Sequence, residues 1–297
     1  MAKIISVDKE KINGLSVIVP VYNEEKAVRD TINRIDKTLK KLNISYEIIA
    51  VEDCSKDRSF KILKSIEIKS LRIIKHSINK GYGRSLKDGM AVSKYNKICI
   101  IDADGSYIPE DISRLIKYAR DYDLVTCKRK LIGSGIPLIR VPAKFMLNKF
   151  AGYITGKRID DLNCGLRIFD KKKAMEFWHL YPERFSFTTT MIMAFLTNNY
   201  SVKFVPINYL KRKGKSTIKP TDFIRFNKMI LKMIIYFNPL KFFIPVSIGL
   251  LALAGAVAVV SIYNGKLLDT LVAIIAVLSI QTFFFGLLAE IMAKSKR

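Results

Sequence analysis

Between Lys241 and Lys266 this chain carries no charge, and between Asp269 and Glu290 it carries none again. Each stretch is long enough to cross a hydrocarbon layer of roughly 30 Å as a helix. Residues 241–297 are therefore expected to form a transmembrane hairpin with a basic tail. About 220 to 240 residues remain for one large water-soluble domain. The loop Asn264 to Asp269 holds one Lys and one Asp, whereas the segment before the first span and the tail residues Lys294, Lys296 and Arg297 are basic. The positive-inside rule then predicts a multi-pass protein of the cell membrane, with the large domain and both termini in the cytoplasm. The N-terminal MAKIISVDKEKING has charges where a secretory signal needs an apolar run, so export of the first domain is not expected.

Fifty-one Lys and Arg against 26 Asp and Glu give a formal net charge of +25, which calls for an anionic partner. Nucleic acid is disfavoured by the two apolar spans and by the lack of basic patches interleaved with aromatic residues. A lipid bilayer and a phosphorylated substrate remain. Cys54, Cys99, Cys127 and Cys164 form no CxxC pair, and His76 and His179 lie near none of them in sequence. The spacing predicts reduced, mostly buried thiols, with neither a zinc site nor a disulfide framework.

Short β-branched runs recur at Leu15 to Pro20, Tyr46 to Val51, Leu71 to Ile74 and Ile98 to Ile101, with a later one at Val202 to Pro206. Helical patterns separate them. Val28, Ile32, Ile35, Leu39 and Leu42 share one face of a helix of about 18 residues, and Phe60, Leu63 and Ile66 mark a second. Such alternation predicts an α/β domain with a mostly parallel sheet and flanking helices, binding its ligands beyond the carboxyl ends of the strands. Residues 128–170 read as a basic, Gly-containing loop with short helices. Phe223 to Phe237 places Arg225, Lys228 and Lys232 at helical spacing beside apolar residues, as an interfacial amphipathic helix would. The expected division is a domain at 1–220, an interfacial segment at 221–240 and the hairpin at 241–297.

The predicted strand ends carry Tyr22, Asn23 and Glu24, then Glu52 and Asp53, then Asp102 and Asp104. In IIDADG two carboxylates stand one residue apart past a buried strand. Hard oxygen donors in that arrangement suit Mg²⁺ or Mn²⁺ beside a diphosphate.

SVIVPVYNEE (16–25), YEIIAVEDCSKDRS (46–59), NKGYGRSLKDGM (79–90) and IIDADGSYIPEDI (100–112) resemble, in order and spacing, the successive motifs of glycosyltransferase family 2. The later DDLNCGLRIF (160–169) and KRKGKS (211–216) are similar to segments of its polyprenyl-phosphate branch, which includes dolichol-phosphate mannose synthase. The resemblance implies a GT-A fold, a nucleotide-diphosphate sugar donor and a polyprenyl phosphate acceptor. It further implies that Pro20, Tyr22 and Glu24 line the base and ribose and that Asp53 holds the base or ribose. Asp102 would meet the ribose or metal, and Asp104 the metal. Arg129 and Arg140 would face donor and acceptor phosphates, while Lys211, Lys213 and Ser216 close over the diphosphate.

The chain departs from that branch at Ser106, where Gln is usual, at Cys127-Lys128-Arg129 for Gly-Ser-Arg, at Cys164 for Ser, and in the non-acidic FTTT at 187–190. The expected reaction moves a hexose-type sugar onto lipid phosphate with inversion. A phosphate monoester is already anionic and needs no strong base. The competing enzyme reading, transfer to a glycan hydroxyl, needs a carboxylate base, for which Asp161 is the candidate. A tethered nucleotide-sugar binding protein without catalysis is the alternative from another class. Homo-oligomerisation is left open.

Overall fold

The computed structural model describes residues 12–129, 148–149, 151–184, 186–210, 236, 238–265 and 269–295. The chain divides into two compact units, residues 1–152 with 157–217 and residues 153–156 with 218–297.

In the first unit β1 (Leu15–Val21), LSVIVPV, is buried along its whole length. An apolar run with no polar face can only be a central strand, covered on both sides. It pairs in parallel with β2 (Tyr46–Glu52) on one side and β4 (Lys97–Ile100) on the other. β3 (Leu71–Lys75) extends the β2 side in parallel. The chain thus builds outward from β1 in one direction and then crosses back to its other flank, which creates a switch point beyond the carboxyl ends of β1, β2 and β4.

Helix α1 (Val28–Lys41) buries Val28, Ile32, Ile35 and Leu39, the face that the sequence spacing predicts. It is shorter than expected because Leu42 already serves as its C-cap. Helix α2 (Ser59–Lys64) buries Leu63, and helix α3 (Tyr82–Val92) lies against β1 through Gly89, where a Cβ would collide with Ile18.

Beyond β4 the structure holds the strand read at Val202 to Pro206 and two more that the sequence reading did not expect. β5 (Leu124–Arg129), β6 (Arg167–Asp170) and β7 (Val202–Ile207) complete a seven-stranded sheet of order β3-β2-β1-β4-β6-β5-β7. β6 runs antiparallel to both neighbours, so β5 regains the direction of β4 and ends at the same edge of the sheet. The two strands within or bordering the segment read as a loop escape the hydropathy signal for a physical reason. β6 has four residues and opens on a fully buried arginine, and β5 ends on Lys128 and Arg129.

The expectation for the cysteines also needs correcting. Cys127 on β5 and Cys164 before β6 form a disulfide with Cα atoms 6.0 Å apart, although 37 residues separate them in sequence. The β5–β6 pairing brings them together, and spacing alone carries no trace of it. Cys54 and Cys99 are free thiols.

In the second unit, the helices Leu240–Tyr263 and Asp269–Ser295 are long and apolar enough to cross a membrane by length and composition. Only 11% of each apolar window is buried, which separates them from the core helices of a soluble domain. Ser247 and Ser279 join them reciprocally: each hydroxyl donates to the other's carbonyl, at 2.9 and 2.8 Å. Of the amphipathic segment expected at 223–237, all but Tyr236 lies outside the described residues.

Asp123 ties the start of β5 to β7: its carboxylate accepts from the Ser201 amide at 2.7 Å and hydroxyl at 2.8 Å, and pairs with Lys173. Burial works to raise its pKa and is outweighed by Lys173 and the Ser201 donors, which hold it below the ordinary 3.8. A carboxylate whose pKa is depressed on folding stabilises the folded state above its unfolded pKa, and that contribution vanishes as pH falls through the folded value. Asp123→Asn is expected to cost about 1 kcal/mol at neutral pH. Denaturant unfolding of the solubilised protein at several pH values should show the gap to the parent closing below 3.8.

Candidate active site

Three adjacent strands deliver the polar residues of the site. At the end of β1, Pro20 is buried, Tyr22 half-buried and Glu24 only 7% exposed. The loop that follows is fixed against residues 55–59. Asn23, at a φ of 56°, donates its amide to Ser55 Oγ at 3.0 Å and accepts from the Lys56 amide at 2.8 Å. The Glu24 amide donates to Ser59 Oγ at 2.8 Å.

Asp53 follows β2 and is buried, its amide donating to Val21 O at 2.9 Å. Asp53 Oδ1 accepts from the Lys80 amide and Oδ2 from the Gly81 amide, both at 2.8 Å, so the turn before α3 is wrapped around one carboxylate.

Beyond β4, Asp102 and Asp104 stand as the IIDADG pattern predicts. Asp104 Oδ1 accepts from the Ser106 amide at 2.9 Å and the Ser106 hydroxyl at 2.5 Å. Ser106 is thus turned onto its neighbouring aspartate and orients it, with Gly105 at a φ of 72° closing the turn. Asp102 Oδ1 accepts from the Tyr82 hydroxyl at 2.9 Å. Burial first, and then the charge of Asp102, push the Tyr82 phenol well above its ordinary pKa. Tyr82 therefore keeps its proton and stays a donor. Gly165 packs on the other side of Asp102, where a Cβ would collide with Asp102 Oδ2, and its amide donates to Tyr107 Oη at 2.6 Å.

The donor set fits a hard divalent cation. Two carboxylates share one short loop, and the residue opposite Asp102 has no side chain to fill the space beside its oxygen. Mg²⁺ and Mn²⁺ commonly take one or two protein carboxylates and complete their shell with water and phosphate oxygens. Among the described residues no group of three or more His, Cys, Asp or Glu is arranged so as to hold a metal ion.

Arg129 and Asp161 occupy the β5 side, and they meet each other. Arg129 Nε and Nη2 donate to the two carboxylate oxygens of Asp161 at 2.8 and 2.9 Å, and the guanidinium lies 5.1 Å from the Tyr209 ring centre. The Asp161 side chain is fully buried and that of Arg129 is 12% exposed. Tyr209 packs edge-on against Tyr107 at 5.1 Å, which links the pair to the loop of Asp102 and Asp104.

Of the residues expected in the site, the structure gathers Pro20, Tyr22, Glu24, Asp53, Asp102 and Asp104 beyond three neighbouring strands. Arg140, Lys211, Lys213 and Ser216 lie outside the described residues. Sequence reasoning did not single out Tyr82, Tyr107, Gly165 or Arg167. All four stand inside quoted motifs, where a glycine, an aromatic residue or an arginine next to charged positions is the available signal. Arg167 is wholly buried and donates to the carbonyls of Thr188 and Cys164. Desolvation lowers its pKa.

Sheet order, switch point and paired carboxylates together define a protein of the GT-A class. The chain belongs to glycosyl transferase family 2, whose family model matches residues 16–178, more than half of its 297 residues. It is similar to the undecaprenyl-phosphate 4-deoxy-4-formamido-L-arabinose transferase of Proteus mirabilis, 34% identical over 164 residues, which are 54% of this chain and 50% of that one. The protein of the same name from Photorhabdus laumondii is 30% identical over 203 residues, 67% of this chain and 60% of that one. The chain thus spans about half to three-fifths of the length of these relatives. Glucosyl-3-phosphoglycerate synthase of Mycobacterium tuberculosis, solved with Mn²⁺, UDP and phosphoglyceric acid, shares the fold at a TM-score of 0.57 and 13% identity, covering 75% of this chain and 76% of that one. Staphylococcus aureus TarS, solved with UDP-GlcNAc, does so at 0.53 and 20%, covering 76% and 67%.

Removing one member of the Arg129–Asp161 pair leaves a buried charge without its partner. Arg129→Met is expected to cost about 3 to 5 kcal/mol, whereas Arg129→Met combined with Asp161→Leu should recover most of that loss. Denaturant unfolding of the two variants checks this. Equal destabilisation in both would show that the pair does not carry the energy.

Proposed function

We propose that this protein is a membrane-attached, inverting glycosyltransferase that moves a hexose-type sugar from a nucleotide-diphosphate donor to a polyprenyl phosphate at the cytoplasmic face. The observation that carries the reading is the pair Asp102 and Asp104 at the switch point of the sheet. Family 2 membership and two apolar helices in the same chain support it. The relatives' names fit a polyprenyl-phosphate acceptor, although the sugar they name is an arabinose rather than a hexose, and the UDP complexes of the structural neighbours fit a nucleotide-diphosphate donor.

In this reading Pro20, Tyr22 and Glu24 line the nucleoside, and Asp53 meets the base or ribose. Asp102 and Asp104 hold Mg²⁺ or Mn²⁺, which when bound neutralises charge on the departing diphosphate. Ser106 and Tyr82 fix the two carboxylates before substrate arrives, so little reorganisation is left for the reaction itself. Arg140, Lys211, Lys213 and Ser216 keep the phosphate-facing roles that their motifs imply. The Arg129 fork is engaged by Asp161, so Arg129 acts by holding the wall of the site at Tyr107 and Tyr209.

One feature favours phosphate over a glycan hydroxyl as acceptor. Asp161, the candidate base for a hydroxyl, is buried and held by Arg129 through both oxygens. A phosphate monoester brings its own negative charge and attacks the anomeric carbon without that help. The isoprenoid tail stays in the bilayer beside the helices 240–263 and 269–295, and the basic segment 223–237 holds the domain against the anionic leaflet, each Lys or Arg contributing on the order of 1 kcal/mol.

Membranes carrying the protein should transfer radiolabel from one of a panel of UDP- and GDP-sugars into an extractable, mild-acid-labile lipid. EDTA should abolish the transfer, and Asp104→Asn should lower it at least about 100-fold. No labelled lipid with any donor, or retained anomeric configuration in the product, would reject the proposal.

A further inference from the structure

His76 is a buried titratable group, 4% exposed, in a part of the sequence that no proposed step uses. It follows β3, and its amide donates to Glu52 O at 2.9 Å, which extends the β2–β3 pairing by one residue. The ring then lies between two carboxylates. Nδ1 is 2.7 Å from Asp53 Oδ1 and Nε2 is 3.0 Å from Asp88 Oδ2. An ionised carboxylate only accepts, so it is the nitrogen carrying hydrogen that bonds: Nδ1–H donates to Asp53 and Nε2–H to Asp88. Asp88, on α3, is held in turn by Arg84 Nε at 2.9 and 3.1 Å, and Arg84 Nη1 reaches Glu183 Oε1 at 3.3 Å.

This chain of contacts ends on Asp53. Its Oδ1 accepts from both His76 and the Lys80 amide, which uses the two lone pairs of that oxygen. Oδ2 accepts from the Gly81 amide, and one lone pair remains. The carboxylate can neither rotate nor turn its occupied oxygen toward a ligand. It presents one acceptor position. Uracil can donate to it from N3–H, whereas cytosine has a lone pair at N3, which is repelled, and would have to shift to offer its N4 amino group instead.

We infer that His76, relayed from Asp88, is a positioning residue that sets the donor base by fixing Asp53, an inference that rests on the reading of Asp53 as a nucleoside contact. His76 touches no substrate. Its effect passes through Asp53, which distinguishes it from a residue that merely supports the fold.

The test uses UDP and CDP as probes, with calorimetric binding to the detergent-solubilised full chain and donor KM and kcat measured in membranes. Asp53→Asn, His76→Gln, their combination and Asp88→Asn are compared. A charge-assisted hydrogen bond lost at such a site weakens binding by about tenfold or more. His76→Gln is expected to weaken UDP about tenfold, to raise donor KM with kcat within about twofold, and to narrow the preference for UDP over CDP. The double variant should bind UDP no more weakly than Asp53→Asn alone, because both changes remove the same interaction.

If Asp53→Asn weakens UDP binding while folded His76→Gln binds as the parent does, or if the two losses multiply, the role of His76 falls and the nucleoside contact stands. If Asp53→Asn binds UDP normally, the nucleoside contact fails and the inference with it. Should His76→Gln not fold, Asp88→Asn decides in the same way, since that side chain is 24% exposed: weaker UDP binding with a narrowed base preference supports the relay, and unchanged binding overturns it.

Discussion

The burial of β1 on both faces is the constraint from which the rest follows. Seven consecutive buried residues leave no solvent-facing position along the strand, so chemistry can only collect at its ends. Because β2 and β4 flank it in parallel, three carboxyl ends open at one place, and the loops after them carry Glu24, Asp53, Asp102 and Asp104. A shift of a single residue in either pairing would send every β1 side chain to the opposite layer, which is packed around different neighbours, so the packing that fills the core also fixes where the loops emerge.

Charges gathered at such an edge are costly unless each is satisfied, and the site is built from satisfied ones. Asp53 is wrapped by two backbone amides and a histidine, Asp104 by the amide and hydroxyl of Ser106, and Asp161 by the fork of Arg129. Tyr82 stays protonated against Asp102. These contacts are formed by the protein before any ligand binds. Their consequence is pre-organisation: the carboxylates proposed to meet the nucleotide are aimed by neighbours whose own positions the sheet and its turns determine.

The second unit is suited to a different solvent. Its two helices expose apolar side chains along most of their length and satisfy their backbones internally, as a lipid environment demands. Ser247 and Ser279 join the helices by reciprocal hydrogen bonds, a polar contact of the kind that apolar packing alone does not provide.

The sequence by itself determined the alternation of strands and helices through β4, the loops in which the acidic residues sit, and the two apolar spans. Those features are local: a β-branched run, a helical stripe or an uncharged stretch is written in neighbouring residues. Only the tertiary structure decided the antiparallel insertion of β6, because a four-residue strand that opens on a buried arginine has no hydropathic pattern. That one reversal brings Cys127 to Cys164, across 37 residues, and lies beside the joining of Arg129 to Asp161. The grip of His76 on Asp53 is of the same kind. It joins side chains 23 residues apart at the ends of adjacent strands; Asp53 stands in a quoted motif and His76 in none, so reading along the chain does not show that they touch.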